Sequence, residues 1–288
     1  MRGLCLTGGG SHGAFQVGAL LALARSGWDW QRGAGVSVGA INIAKLVQYK
    51  IGEFEQGALE LWRMWEALRD RDIKRSRSLG LFSLLVGAPS IYRTRTALGS
   101  LIRREYDPAL ARTSGRRASV GAVCWNSGDY VWRSQHAPNF EVWVEASASF
   151  PFFFEPVEID GKLYTDGGVR NVAPLGELVR AGCKEIVLIA CSNPDLPSPW
   201  EPGGSLKFVS YLARGLGLMS DEIARTDYQA VGIRNELAEL TPSYRNVRVR
   251  IIEPPRPLDE ADSLTFDQSA IRPWLKLGLG VGENCVRR

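Results

Sequence analysis

Leu4-Cys5-Leu6 is a short apolar run that stops at Gly8-Gly9-Gly10, the pattern of a buried strand entering a tight turn. From Gly13 the period changes. Phe15, Val17, Leu20, Leu21 and Ala24 fall at helical spacing, and Ser26-Gly27 ends the run. A second short strand over 33–36 turns at Ser37 into a helix carrying Ile41, Ile43, Ala44, Leu46 and Val47. Phe54, Ala58, Leu61, Trp62, Trp65 and Leu68 trace a third helical stripe. Strand, glycine turn and helix in alternation predict an α/β fold with a mainly parallel sheet covered by helices. Strand-like runs return at 117–124, 129–133 and 157–163, the last broken at Asp160-Gly161, and 185–190 reads as a buried parallel strand. Residues 194–204, with four prolines and two glycines, predict a loop. A long helix to about 236, a strand at 247–252 and a last helix near 268–286 complete the pattern.

Residues 69–104 break this rhythm. Nine basic residues (Arg69, Arg71, Lys74, Arg75, Arg77, Arg93, Arg95, Arg103 and Arg104) flank the apolar patch Leu79-Gly80-Leu81-Phe82-Ser83-Leu84-Leu85-Val86. Such a segment reads in two ways: a solvated basic face beside a buried helix, or a lid in peripheral contact with an anionic membrane.

Composition narrows the class. The 288 residues are 45% hydrophobic and 23% charged, a globular balance that excludes a disordered, collagen-like or rod-like chain. Lys+Arg 35 against Asp+Glu 31 leaves +4, too slight to indicate a nucleic-acid partner. No run of about 18 apolar residues occurs, so no spanning helix is expected. Met1-Arg2 leads straight into Gly3, leaving no room for a secretory leader. Five scattered cysteines without a C-x-x-C pair indicate neither a disulfide framework nor a zinc site. Cys285, in Cys-Val-Arg-Arg, is not in a prenylation box. The expectation is a cytoplasmic protein, peripheral at the membrane if 69–104 is a lid. It has one domain over 1–288, with a motif-bearing core over about 4–195, the insertion at 69–104 and a C-terminal helical part over about 205–288. Neither cofactor nor metal is expected.

Three motifs carry chemistry. Gly35-Val36-Ser37-Val38-Gly39 fits G-x-S-x-G between a strand and a helix. The tight turn needs small residues around the serine, and the helix that follows aims its N–H groups at a reacting carbonyl. By itself the pattern is as often an idle turn. Thr7-Gly8-Gly9-Gly10-Ser11-His12-Gly13 also satisfies G-x-G-x-x-G, but the acidic residue a dinucleotide ribose needs is missing, because the second strand ends in Ser37. With a serine elbow next in the chain, the loop from Gly8 to Gly13 reads instead as an oxyanion hole built of backbone N–H groups. Tyr164-Thr165-Asp166-Gly167-Gly168 puts an aspartate before two glycines after a strand, which alone is usually a plain turn. A serine hydrolase needs a base, and the chain has only two histidines, His12 inside the glycine loop and His136 in Ser-Gln-His-Ala-Pro. No histidine follows 136, where an ordinary Ser-Asp-His order would put it. A Ser37–Asp166 dyad is the economical solution, and a triad using His136 is the competing one.

A glycine loop opening a helix, G-x-S-x-G within 30 residues, Ala-Ser-Ala-Ser-Phe-Pro at 146–151 and then Asp-Gly-Gly resemble the patatin-like phospholipase family over roughly 4–175. The tail Phe266-Asp267, Ile271, Leu275 and Gly278 resembles the last helix of bacterial members. The resemblance implies a three-layer α/β/α sandwich and hydrolysis of lipid acyl esters of the phospholipase A, lysophospholipase or esterase type. It implies Ser37 as nucleophile, Asp166 as its base, and Gly8, Gly9, Gly10, Ser11, His12 and Gly13 as the oxyanion loop. Gly35 and Gly39 shape the elbow, Gly167 and Gly168 complete Asp-Gly-Gly, and Asn171 and Pro174 match the Asn and Pro that follow in the family. One departure is His12, where the family loop carries arginine or lysine; a fixed charge becomes a titratable one. A catalytically silent lipid-binding or interaction module is the alternative function.

Overall fold

The computed structural model describes residues 1–76, 90–93, 97–196, 207–240, 246–258 and 263–287. Strand β1 (Arg2–Leu6) passes through the glycine loop and a 3-10 turn (Gly10–His12) into α1 (Gly13–Arg25). β2 (Arg32–Gly35) turns at Ser37 into α2 (Val38–Leu46), and α3 (Phe54–Ala67) follows with Phe54, Ala58, Leu61 and Trp65 buried along one stripe. The described part of the basic insertion comprises α4 (Asp70–Ile73), a two-stranded antiparallel ribbon of β3 (Arg75–Ser76) and β4 (Tyr92–Arg93), and α5 (Leu98–Glu105). The apolar patch at 79–86, on which the lid expectation rests, lies outside the described residues.

Next come α6 (Pro108–Thr113), β5 (Arg117–Cys124), β6 (Tyr130–Ser134) and α7 (Phe140–Ser147). The run expected as one broken strand is a hairpin, β7 (Val157–Ile159) and β8 (Lys162–Asp166). Asp160 (φ 50°) and Gly161 (φ 73°) form its turn, the left-handed pair that matches strand twist. The chain closes with α8 (Leu175–Arg180), β9 (Glu185–Ile189), α9 (Lys207–Leu240), β10 (Arg248–Ile252) and α10 (Gln268–Val286).

The main sheet has the order β10-β9-β1-β2-β5-β8-β7, with β6 also paired to β5. All pairs from β10 to β5 are parallel; β6, β7 and β8 pair antiparallel. Period-two alternation sorts the side chains to two cores. Leu4, Leu6, Val187 and Ile189 face one, filled by α1, α2, α3, α7 and α10, while Cys5, Ile186 and Leu188 face the other, closed by α8 and α9. This is a three-layer α/β/α arrangement. Small residues allow the tightest helix packing. A Cβ on Gly18 of α1 would stand 2.1 Å from the Leu275 carbonyl oxygen, and one on Gly278 of α10 would stand 2.0 Å from that of Phe15.

One detail of register positions the site. β2 pairs with residues 117–120 of β5, β8 with 122–124, and β6 with 119–123. Because β6 overlaps both, β2 and β8 must share the opposite edge of β5. Where β2 leaves that edge to make the serine turn, β8 takes it over. Gly35 pairs with Val120 and Asp166 with Ala122, so Asp166 arrives two positions beyond the end of β2.

Candidate active site

Ser37 sits between β2 and α2 at φ 57° and ψ −125°, a backbone state that non-glycine residues rarely adopt and that costs on the order of 1–3 kcal/mol. Its surroundings hold it there. The Ser37 N–H donates to Ser147 Oγ at 3.1 Å, and Val36 N–H donates to the Leu6 carbonyl at 3.3 Å. The flanking glycines are steric requirements. A Cβ on Gly35 would stand 2.3 Å from the Gly39 carbonyl oxygen, and one on Gly39 would stand 2.3 Å from that of Leu6.

Asp166 ends β8 fully buried. Its Oδ1 accepts the Gly168 N–H at 2.7 Å, and its own N–H donates to the Ser149 carbonyl at 3.0 Å. Oδ2 is buried without a hydrogen bond of normal geometry. Burial pushes the carboxyl up to about 7, against the opposing pull of the Ser37 hydroxyl and the Gly168 N–H. A carboxylate with one unspent oxygen, raised toward neutrality and next to a serine hydroxyl, can accept that hydroxyl's proton. Gly167 is forced by packing: a Cβ there would lie 2.4 Å from the Gly121 carbonyl oxygen.

The glycine loop lies against the elbow, with a Gly8 Cβ position 3.2 Å from Ser37 Cβ and a Gly13 Cβ position 2.4 Å from Val38 Cγ2. Most of its N–H groups are committed. Gly8 donates to the Val172 carbonyl at 3.3 Å, Ser11 to Ser263 at 2.8 Å, His12 to Gly9 at 3.2 Å, and Gly13 back into the 3-10 turn. Among the described residues, the N–H groups of Gly9 and Gly10 have no such acceptor. Gly9 (φ 149°) and Gly10 (φ 57°) both have positive φ, and a Cβ on Gly10 would stand 2.1 Å from the Ser263 carbonyl oxygen.

Residues that the motifs did not single out fix this loop. Gln16 Nε2 donates to the carbonyls of Thr7 and Ile189, both at 3.0 Å. Asn42 Nδ2 donates to Gln16 Oε1 at 3.0 Å, and Asn42 Oδ1 accepts Trp65 Nε1 at 2.9 Å. This buried relay joins α1, α2 and α3 to the end of β1; its only sequence signal is polar residues inside apolar helical stripes. Asp227 of α9 accepts the N–H groups of Val172 and Ala173 at 3.1 and 2.9 Å, bracing the carbonyl that receives Gly8. Asn171 is close by, with a buried Oδ1 lacking a partner, and Pro174 precedes α8.

The two histidines occupy different places: one is in the glycine loop and the other beyond β6. His12 is buried, its ring meeting Trp274 of α10 edge-on at 4.6 Å between centroids. His136 is exposed after β6, on the edge of β5 opposite β2 and β8.

A narrow pocket, open to solvent, reaches Ser37 and is walled by Ile41, Trp65, Leu98, Phe154 and Phe266. A serine hydroxyl in the wall of a mainly apolar pocket is a setting into which a hydrocarbon group fits. Among the described residues no helix is long and apolar enough to cross a membrane.

A family model described as patatin-like phospholipase matches residues 4–179. Uncharacterised NTE family proteins of Mycobacterium bovis and Mycobacterium tuberculosis are 28% identical over 222 residues, covering 76% of this chain and 57% of theirs. The chain thus spans little more than half the length of these curated relatives. Among solved structures, human GIVD cytosolic phospholipase A2, in complex with a methyl gamma-linolenyl fluorophosphonate inhibitor, matches with a TM-score of 0.51 at 12% identity. That match covers 100% of this chain and 59% of the human one, and it shows a shared fold. VipD from Legionella pneumophila matches with a TM-score of 0.46 at 11% identity, over 99% of this chain and 66% of that one.

Proposed function

Because the chain belongs to the patatin-like phospholipase family, we propose that it is a serine acyl hydrolase cleaving lipid acyl esters through a Ser37–Asp166 dyad. The observation that carries the reading is a strained, partly exposed Ser37 in the wall of a mainly apolar pocket, beside a fully buried carboxylate raised to about 7. Asp166 accepts the hydroxyl proton as Ser37 Oγ attacks the ester carbonyl, giving a tetrahedral oxyanion. The N–H groups of Gly9 and Gly10 stabilise that oxyanion. Asp166 then returns the proton to the departing alcohol. Water, deprotonated by the same carboxylate, attacks the acyl-serine, and the acid leaves as Ser37 regains its proton. No cofactor enters these steps.

The proposal treats 1–288 as one domain, since β10 extends the main sheet and α10 packs on α1. It includes peripheral contact of 69–104 with an anionic membrane, supported by the basic residues of that stretch. The test is labelling with a fluorophosphonate and hydrolysis of p-nitrophenyl butyrate. Wild-type protein is expected to label and turn over, and Ser37→Ala to do neither; labelling that survives in Ser37→Ala overturns the reading.

A further inference from the structure

Among the described residues, four that are not glycine have positive φ: Ser37, Asn139, Phe152 and Asp160. Asn and Asp adopt this conformation most readily, and Ser37 is the elbow. Neither reason applies to Phe152, at φ 70°, and a bulky aromatic in the left-handed region is strained. Burial of the ring does not offset that strain. Phe152 is 51% exposed, whereas the adjoining Phe153 and Phe154 are buried.

Hydrogen bonds fix where this residue stands. The Phe154 N–H donates to the Phe150 carbonyl at 2.9 Å, closing a turn with Phe152 at its apex. The chain leaves the wall of the Ser37 pocket at Ala148 and returns to it at Phe154. Two steps of ~3.8 Å put the apex within about 8 Å of Phe154 along the chain. The turn is also tied to the base of the basic insertion: the Phe152 and Phe153 carbonyls accept the N–H groups of Ile91 and Tyr92 at 2.8 and 2.9 Å. Tyr92 pairs with Ser76 in the β3–β4 ribbon, and Lys74 Nζ lies 5.0 Å from the centre of its ring. Lys74 is held by Asp70 at 3.5 Å, while Arg71 and Arg75 are exposed.

Resting on the acyl-hydrolase reading, we propose that Phe152 is an interfacial anchor whose ring enters a phospholipid surface beside the Ser37 pocket, while Arg71 and Arg75 meet anionic head groups, so that an ester held in a bilayer is preferred to one in solution. The left-handed backbone turns the ring outward, away from the buried Phe153 and Phe154. One apolar anchor alone binds a bilayer weakly, and the basic residues supply the second contribution. The hydrogen bonds to Ile91 and Tyr92 hold the two contributions together, so that docking brings the pocket to the surface.

The experiment measures sedimentation with phosphatidylcholine–phosphatidylglycerol vesicles, hydrolysis of p-nitrophenyl palmitate carried in those vesicles and of p-nitrophenyl butyrate in solution, and the melting temperature. Glycine takes the same φ without strain, so Phe152→Gly is expected to melt at or above wild type. It is expected to bind vesicles about tenfold more weakly and to lose about five times more rate on the vesicle-borne ester than on the soluble one. Phe152→Trp keeps an aromatic ring and is expected to hold vesicle binding within about twofold of wild type. Wild-type protein that does not bind the vesicles, or Phe152→Gly that binds them equally well, overturns the proposal and leaves a protein partner as the occupant. A melting temperature of Phe152→Gly clearly below wild type overturns it too, since the ring would then be covered by the chain itself. Equal loss on both esters would place Phe152 in the service of the pocket and also overturns it. Ser37→Ala is the separate control: it is expected to bind vesicles as wild type does, and hydrolysis surviving in it refutes the dyad reading while the binding result stands.

Discussion

Ser147 Oγ accepts the backbone N–H of Ser37 at 3.1 Å, and two residues on the Ser149 carbonyl accepts the N–H of Asp166 at 3.0 Å. One short stretch at the end of α7 thus holds both members of the proposed dyad. Ser147→Ala leaves the Ser37 N–H without its acceptor in a buried setting, at a cost of about 1–3 kcal/mol. The expected outcome is a lower urea midpoint together with a fall in kcat of tenfold or more at unchanged KM. A loss of stability with kcat intact would mean that Ser147 only supports the fold.

Ser37→Ala and Asp166→Asn are each expected to remove nearly all hydrolysis of a soluble ester while circular dichroism stays native. Groups that act as one unit lose their effect together, so the double variant should be little worse than either single one. Near-wild-type turnover by Asp166→Asn would end the dyad proposal.

Activity and stability should depend on pH in opposite directions. The base form of Asp166 grows as pH rises through about 7, so kcat/KM is expected to rise across that range. The folded carboxyl sits above its ordinary 3.8, so between 3.8 and about 7 the native state binds the proton more tightly than the unfolded one. Stability is therefore lost as pH rises through that window, by at most roughly 4 kcal/mol for so large a displacement. Asp166→Asn removes the charge and should raise the melting temperature at pH 8 relative to wild type, with the difference shrinking toward pH 4. Thermal scans across pH check both signs.

Much of this arrangement is legible in the sequence because it depends on residue size. Gly35 and Gly39 have no room for a Cβ, and the serine between them announces the turn. β1, α1, β2 and α2 follow directly from the change of apolar period at each glycine cluster. Less legible is α7. Phe140, Val142 and Val144 alternate as a strand would, while the buried Phe140, Trp143, Val144 and Ser147 also fit a helix, so the pattern supports both. Register is harder still. Nothing local in Tyr164-Thr165-Asp166 tells that β8 succeeds β2 on the same edge of β5. The supports from Asp227, Gln16 and Asn42 are also hidden, since polar residues in helices are normally solvated. For the glycine loop, sequence marks the segment, and only the structure gives the acceptors of its N–H groups.

Asp227→Ala should expose that hidden support. It removes the acceptor for two backbone N–H groups and loosens the segment whose Val172 carbonyl holds Gly8. The expected result is a kcat loss of about tenfold with destabilisation of about 1–3 kcal/mol. Asp227→Asn, which keeps an acceptor oxygen, should recover most of both. Equal damage from both variants would point to the charge rather than the hydrogen bonds.

The carbonyl of Ser263 touches the glycine loop twice, receiving the Ser11 N–H and leaving no space at Gly10 for a side chain. Ser263, like Asp227, Phe266 and Trp274, lies well past residue 179, where the family match stops. The machinery is therefore not modular. Excising 1–179 would retain all three chemical motifs and yet strip away the clamp that shapes the loop, part of the pocket wall and β9, which pairs with β1. Grafting experiments and minimised enzymes built from this chain must carry the last third of its length as working parts.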